Sequence, residues 1–180
     1  EGERLLIFCN NAGPGFLLGI CGGAVFASPR AGAALYLIHA ASALFTGILL
    51  TRRLPPLSAP FSAGAAPRRS VSLSAALPAA VQGALAGILN VCAFVVFFTV
   101  CTRLLLRALP ESFAFSLPCA LLIGFFELTS GVTALPPTRA GFLACAALLA
   151  WGGLSVHCQT LSALSASALS ARYYLRAKAA

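Results

Sequence analysis

Six apolar runs, at about residues 5–27, 31–51, 77–109, 113–131, 140–151 and 154–171, take up most of this chain, and most charged side chains fall at their ends or between them. The hydrocarbon core of a bilayer is about 30 Å thick, and about 20 apolar residues of helix cross it. Several of the runs have that length. The chain carries 12 Lys and Arg, 4 Glu and no Asp in 180 residues, and 59% of it is hydrophobic. An ordinary soluble domain is about 25% charged, so there is too little polar surface here to face water. These numbers exclude a soluble single domain, a disordered chain and a disulfide-knotted secreted module. The expected fold class is all-α, a polytopic transmembrane helical bundle.

Three of the runs are interrupted. The first, Leu5 to Ala27, contains Cys9-Asn10-Asn11-Ala12-Gly13-Pro14-Gly15. Paired Asn, two Gly and a Pro dismantle a helix, and broken backbone survives in a membrane only inside protein or beside a wet cavity. This run is expected as two half-helices around a tip, re-entrant or spanning. The fourth run ends in Glu127-Leu128-Thr129-Ser130-Gly131, and the fifth breaks at Gly152-Gly153. The last run, with Ser155, His157 and Gln159, is too polar to face lipid and should pack among other helices. The second run, Ala31 to Thr51, reads as a plain span. The third is too long for one upright span, and its Gly83 and Gly87 form a G-x-x-x-G spacing that permits close helix packing. Asn90 and Gln82 on that run are expected to bridge helices.

The net charge of +8 is distributed by topology. Arg52, Arg53, Arg68 and Arg69 mark a cytoplasmic loop at 52–70, and Arg172, Arg176 and Lys178 put the C-terminus on the same side if runs three to six alternate. Arg30, Arg103 and Arg107 then lie on the far side. Without a basic stripe interleaved with aromatics, nucleic acid is not an expected partner. The seven Cys form no C-x-x-C pair and read as small apolar residues. No Met occurs and residue 1 is Glu, which gives the expectation that the chain is processed or part of a longer protein.

Helix breaks that carry polar side chains mark substrate sites in secondary transporters, where half-helix N–H groups face anions and unwound carbonyls face cations. The candidate substrate-binding residues are therefore Asn10, Asn11 and Gly13 at the first break, Glu127, Thr129 and Ser130 at the second, and Ser155, His157 and Gln159 at the third. Glu127 is the sharpest of these, since a carboxylate within a span is costly; the alternative is a carboxyl that caps local backbone. No metal or catalytic set is expected. Neighbours His157 and Cys158 point apart on a helix, no Asp is present for a Ser-His-Asp set, and phosphate-binding loops and zinc-protease motifs do not occur. The chain reads as a non-enzyme.

The stretches Arg4–Phe16 (RLLIFCNNAGPGF), Glu127–Gly131 (ELTSG) and Gly153–Thr160 (GLSVHCQT) together resemble the YlbJ (SpoVV) family of sporulation integral membrane proteins, within the wider nucleoside-recognition or Gate group. The resemblance runs across nearly the whole chain. It implies a transporter-like fold of two related halves, of which residues 1–180 match the C-terminal one. It also implies a role in endospore formation, moving dipicolinic acid across the outer forespore membrane. Glu127 would repel that dianion unless protonated or paired with a cation, which gives the expectation of Na+ or H+ as a coupling cation. The implied partners are the bilayer, a small anion, the N-terminal half of the same protein and, as an open possibility, further copies of the chain. Alternatives are a nucleoside or cation transporter of the Gate group, or a structural membrane protein of the spore envelope.

Overall fold

A computed structural model describes residues 2–52, 72–165, 167 and 169–178, and these form helices with no strand among them. In chain order they are α1 (Gly2–Cys9), a π-helix (Phe16–Val25), α2 (Pro29–Arg52), α3 (Leu73–Arg107), α4 (Glu111–Ala114), α5 (Leu117–Phe126), α6 (Leu128–Thr133), α7 (Arg139–Trp151), α8 (Leu154–Ser165) and α9 (Arg172–Lys178). Apart from Arg52, the expected loop at 52–70 lies outside the described residues.

Among the described residues, three segments are long and apolar enough to cross a membrane: the 24 residues of α2, the 35 of α3, and the 27 from Arg139 to Ser165 that hold α7 and α8. At about 1.5 Å per residue α3 is about 52 Å long, well beyond the ~30 Å of a bilayer's hydrocarbon core. The first run is two half-helices, 8 residues of α1 and 10 of the π-helix. Its second half is wound wider than expected: Phe26 N donates to Cys21 O, five residues back, at 3.0 Å. Gly19, Gly22 and Gly23 weaken the α-helical bias of this stretch.

The expected alternation of runs three to six as separate passes does not hold. The fourth run gives only 10 residues in α5, which stops at Glu127 and doubles back as the 6 residues of α6. The return is tight because both surfaces are glycine: a methyl on Gly131 would fall 2.1 Å from Gly124 Cα. The fifth and sixth runs share one membrane-length segment, interrupted where Gly152 and Gly153 take left-handed φ of 88° and 82°.

The core lies where the π-helix, α2, α5, α6 and α7 meet. Leu17, Cys21, Leu35, Val132, Cys145 and Leu149 are fully or almost fully buried there, and the two cysteines serve as small apolar filling. The π-helix also packs backbone to backbone on α2, where a methyl on Gly22 would come within 2.7 Å of Gly32 Cα. The G-x-x-x-G pair on α3 does not pack this way, since nothing lies within 4 Å of a methyl on Gly83 or Gly87. Asn90 does bridge helices: its Oδ1 accepts from Ser162 Oγ of α8 at 2.9 Å, whereas Gln82 is exposed.

These two glycine environments predict opposite outcomes. Gly32→Ala should destabilise the fold by ~1–3 kcal/mol, because backbone stands where the methyl must go. Gly83→Ala should leave stability unchanged or raise it by ~0.5–1 kcal/mol. Thermal denaturation of both variants in one detergent checks this, and equal effects would contradict the described helix crossing.

Candidate functional site

The three interruptions meet. Gly153 lies against the start of α6, where a methyl would come within 3.0 Å of Leu128 N, so the second and third breaks touch. Asn10, Asn11 and Ala12 of the first break, Leu128 of the second and Gly152 of the third line one cavity of about 110 Å³, together with Val156 and Lys178. A second cavity of about 240 Å³ shares Asn11 and Lys178 and is completed by polar groups of α2, among them His39, Ser42 and Thr46. Both are smaller than the ~300–1,000 Å³ of pockets for drug-sized ligands, which restricts them to a small solute.

Each break satisfies its own backbone. At the first, Phe16 N and Leu17 N donate to Gly13 O at 3.1 and 3.2 Å, so Gly13 opens the π-helix through its carbonyl and is on the wall of neither of these two cavities. The freed Ala12 N donates to His39 Nε2 at 3.3 Å, which gives the buried His39 of α2 a partner outside its own helix. At the second, the carboxylate of Glu127 accepts from Thr129 N at 3.0 Å and Ser130 N at 2.7 Å. Glu127 is 3% exposed and caps α6. A carboxylate on free N–H groups at a helix start is a favourable pairing, and the capping alternative is the one realised.

A polar network then ties the first break to the third. Asn10 Nδ2 donates to Thr160 Oγ1 at 2.8 Å and to Tyr174 OH at 3.0 Å. Tyr174 is fully buried, and its hydroxyl lies 2.7 Å from His157 Nδ1. Burial holds the Tyr174 phenol above its ordinary pKa, so it stays neutral. The His157 ring meets the Trp151 ring edge-on at 4.6 Å, and its Nε2 is buried with no hydrogen-bond partner among the described residues. Ser155 and Gln159 bond to each other along α8, Oγ accepting from Nε2 at 3.1 Å.

Of the nine expected site residues, Asn10 and Asn11 alone line the shared cavities. Glu127, Thr129, Ser155 and Gln159 are engaged in local helix bonds, His157 faces Tyr174, and Ser130 opens onto a different cavity near Arg103. This division has one physical source: a group that breaks a helix in an apolar setting is needed first by the backbone it frees. Lys178, read from the sequence as a topology charge, is a wall residue of both cavities. Its Nζ reaches Ala150 O near the end of α7 at 3.4 Å, and burial lowers its pKa from the ordinary lysine value. No local sequence signal marks it, because α9 docks on α1 from the far end of the chain.

Glu127→Ala should destabilise the protein by ~1–3 kcal/mol, since two interior N–H groups lose their acceptor. Glu127→Gln keeps one acceptor oxygen and should cost less. A melting temperature for Glu127→Ala equal to that of the parent would contradict the capping role. Neither a protein-family model, nor a curated protein, nor a solved structure matches this chain.

Proposed function

We propose that the chain is the C-terminal half of a membrane transporter for a small organic anion, with dipicolinate the specific substrate and endospore formation the setting. The observation that carries the proposal is the Lys178 ammonium in cavities walled by Asn10 and Asn11, at the meeting point of three helix breaks. A lysine and amide donors suit a carboxylate. Glu127, which would repel a dianion, is turned onto α6 amides. The resemblance to the YlbJ family supplies the substrate and the outer forespore membrane. The N-terminal half of the same protein is the partner this reading requires. If transport is coupled to H+, His39 on the cavity wall is the carrier these positions favour over Glu127.

The reading includes an orientation. With α2, α3 and the Arg139–Ser165 segment as three crossings, Arg52 and the basic C-terminal helix fall on one side, taken as cytoplasmic, and Arg30, Arg103, Arg107 and Arg139 on the other.

A structural protein of the spore envelope is the second reading. It is favoured by the local engagement of Glu127, Ser155 and Gln159, which serves packing alone.

Trp151, the sole tryptophan, adjoins cavity residues Ala150 and Gly152, so its fluorescence should respond to an occupant. Titration with dipicolinate should saturate. Lys178→Gln should weaken binding about tenfold or more, the scale of a lost charge-assisted hydrogen bond, while Arg107→Gln should not. The pH dependence follows from the sign of the lysine shift. Lys178 is cationic below its pKa and that pKa is lowered, so affinity should be greatest at low pH and fall as pH rises, earlier than an ordinary lysine would cause. The fall should vanish in Lys178→Gln. The absence of saturable binding, or an unchanged affinity in Lys178→Gln, would favour the structural reading.

A further inference from the structure

We propose that a second site, between α3, α5 and α6, binds a phosphate group, that of an anionic phospholipid headgroup. A cavity of about 290 Å³ opens there, walled by Thr99, Thr102 and Arg103 of α3, Ile123 of α5, and Ser130 and Thr133 of α6. It shares no wall residue with the two cavities at the helix breaks.

The chemistry of the wall selects its ligand. A guanidinium presents a planar fork of N–H donors that matches phosphate oxygens two at a time. Thr102 Oγ1 donates to Phe98 O at 2.6 Å, and Thr133 Oγ1 donates to Thr129 O at 2.9 Å, so those two hydroxyls are already committed to backbone. The hydroxyls of Thr99 and Ser130 have no such bond among the described residues and are the donors left to join Arg103. No acid is on the wall. Of the described carboxylates, Glu3 accepts from Ser170 N, Glu127 caps α6 and Glu111 lies at the start of α4. The wall therefore offers a cation and hydroxyl donors with no carboxylate against them, which suits an anion rather than a metal ion.

The position on α3 points to lipid as the source. From Leu73 to Thr102 the helix carries no charged residue, and charge resumes at Arg103, Arg107 and Glu111. That is where a helix leaves hydrocarbon for the headgroup layer, the depth at which lipid phosphates lie. Arg103 is itself exposed, and Leu106 and Ile123 on the same wall can lie against the first acyl carbons.

The test is native mass spectrometry of the chain in detergent, titrated with phosphatidylglycerol or with phosphate-free diacylglycerol, and with glycerol phosphate as a soluble competitor. The chain should retain one phosphatidylglycerol in preference to diacylglycerol. Arg103→Gln should cut that retention about tenfold or more, the effect of losing a charge-assisted pair, and Arg103→Lys should restore it in part. Ser130→Ala combined with Thr99→Val should also weaken retention without any change in charge, and Arg107→Gln should leave it intact. Competition by glycerol phosphate at concentrations comparable to the lipid would support the phosphate site while assigning it to a soluble ester. Equal losses in Arg103→Gln and Arg107→Gln would overturn the proposal, as would equal retention of diacylglycerol. Circular dichroism of each variant separates lost binding from lost fold.

Discussion

A helix interrupted in an apolar setting leaves N–H and C=O groups that water cannot reach, and each must be answered by the protein. That constraint organises this molecule. At the first break His39 answers Ala12 N and Gly13 O takes two amides of the π-helix. At the second, Glu127 takes the two amides that open α6. At the third, two left-handed glycines turn the chain, and Gly153 is small enough to lie against Leu128 N. Because the polar partners are scarce, the breaks are gathered at one place where they share them.

The few charges are divided in the same economical way. Glu127 is committed to backbone and does not face a cavity. Lys178 reaches the cavities at the helix breaks from a short C-terminal helix, with its head near the C-terminal end of α7, where a helix dipole favours a cation. Arg103 stands in the last turns of the longest described helix, on the wall of a separate cavity. Two cationic walls result from basic residues that the sequence read only as markers of orientation.

Much of the helical plan was legible from residue type. Asn-Asn-Ala-Gly-Pro-Gly, Glu-Leu-Thr-Ser-Gly and Gly-Gly break helices wherever they occur, and all three breaks stand where those stretches lie. Asn90 on α3, isolated in an apolar run, does hydrogen-bond to a neighbouring helix. What stayed hidden depends on distance in space. The Gly83 and Gly87 spacing is the same whether or not a helix faces it, and no described helix does. The partners of Asn10 lie 150 and 164 residues away, and nothing near Thr160, Tyr174 or Lys178 announces them. The shortness of α5 was masked because its apolar run continues through Leu128 into α6, so that hydropathy alone does not reveal a chain turning back on itself.

The bond between Asn10 and Tyr174 also has a consequence in time. The two side chains are separated by 164 residues. At a synthesis rate of ~5–20 residues per second, roughly 8–30 s separate their emergence. For most of that interval the Asn10 amide has neither Tyr174 nor Thr160 to receive its hydrogens, while the helices between are made. The first break is thus the earliest part of the site to be synthesised and the last to be closed, and α9 acts as the latch that ends its assembly.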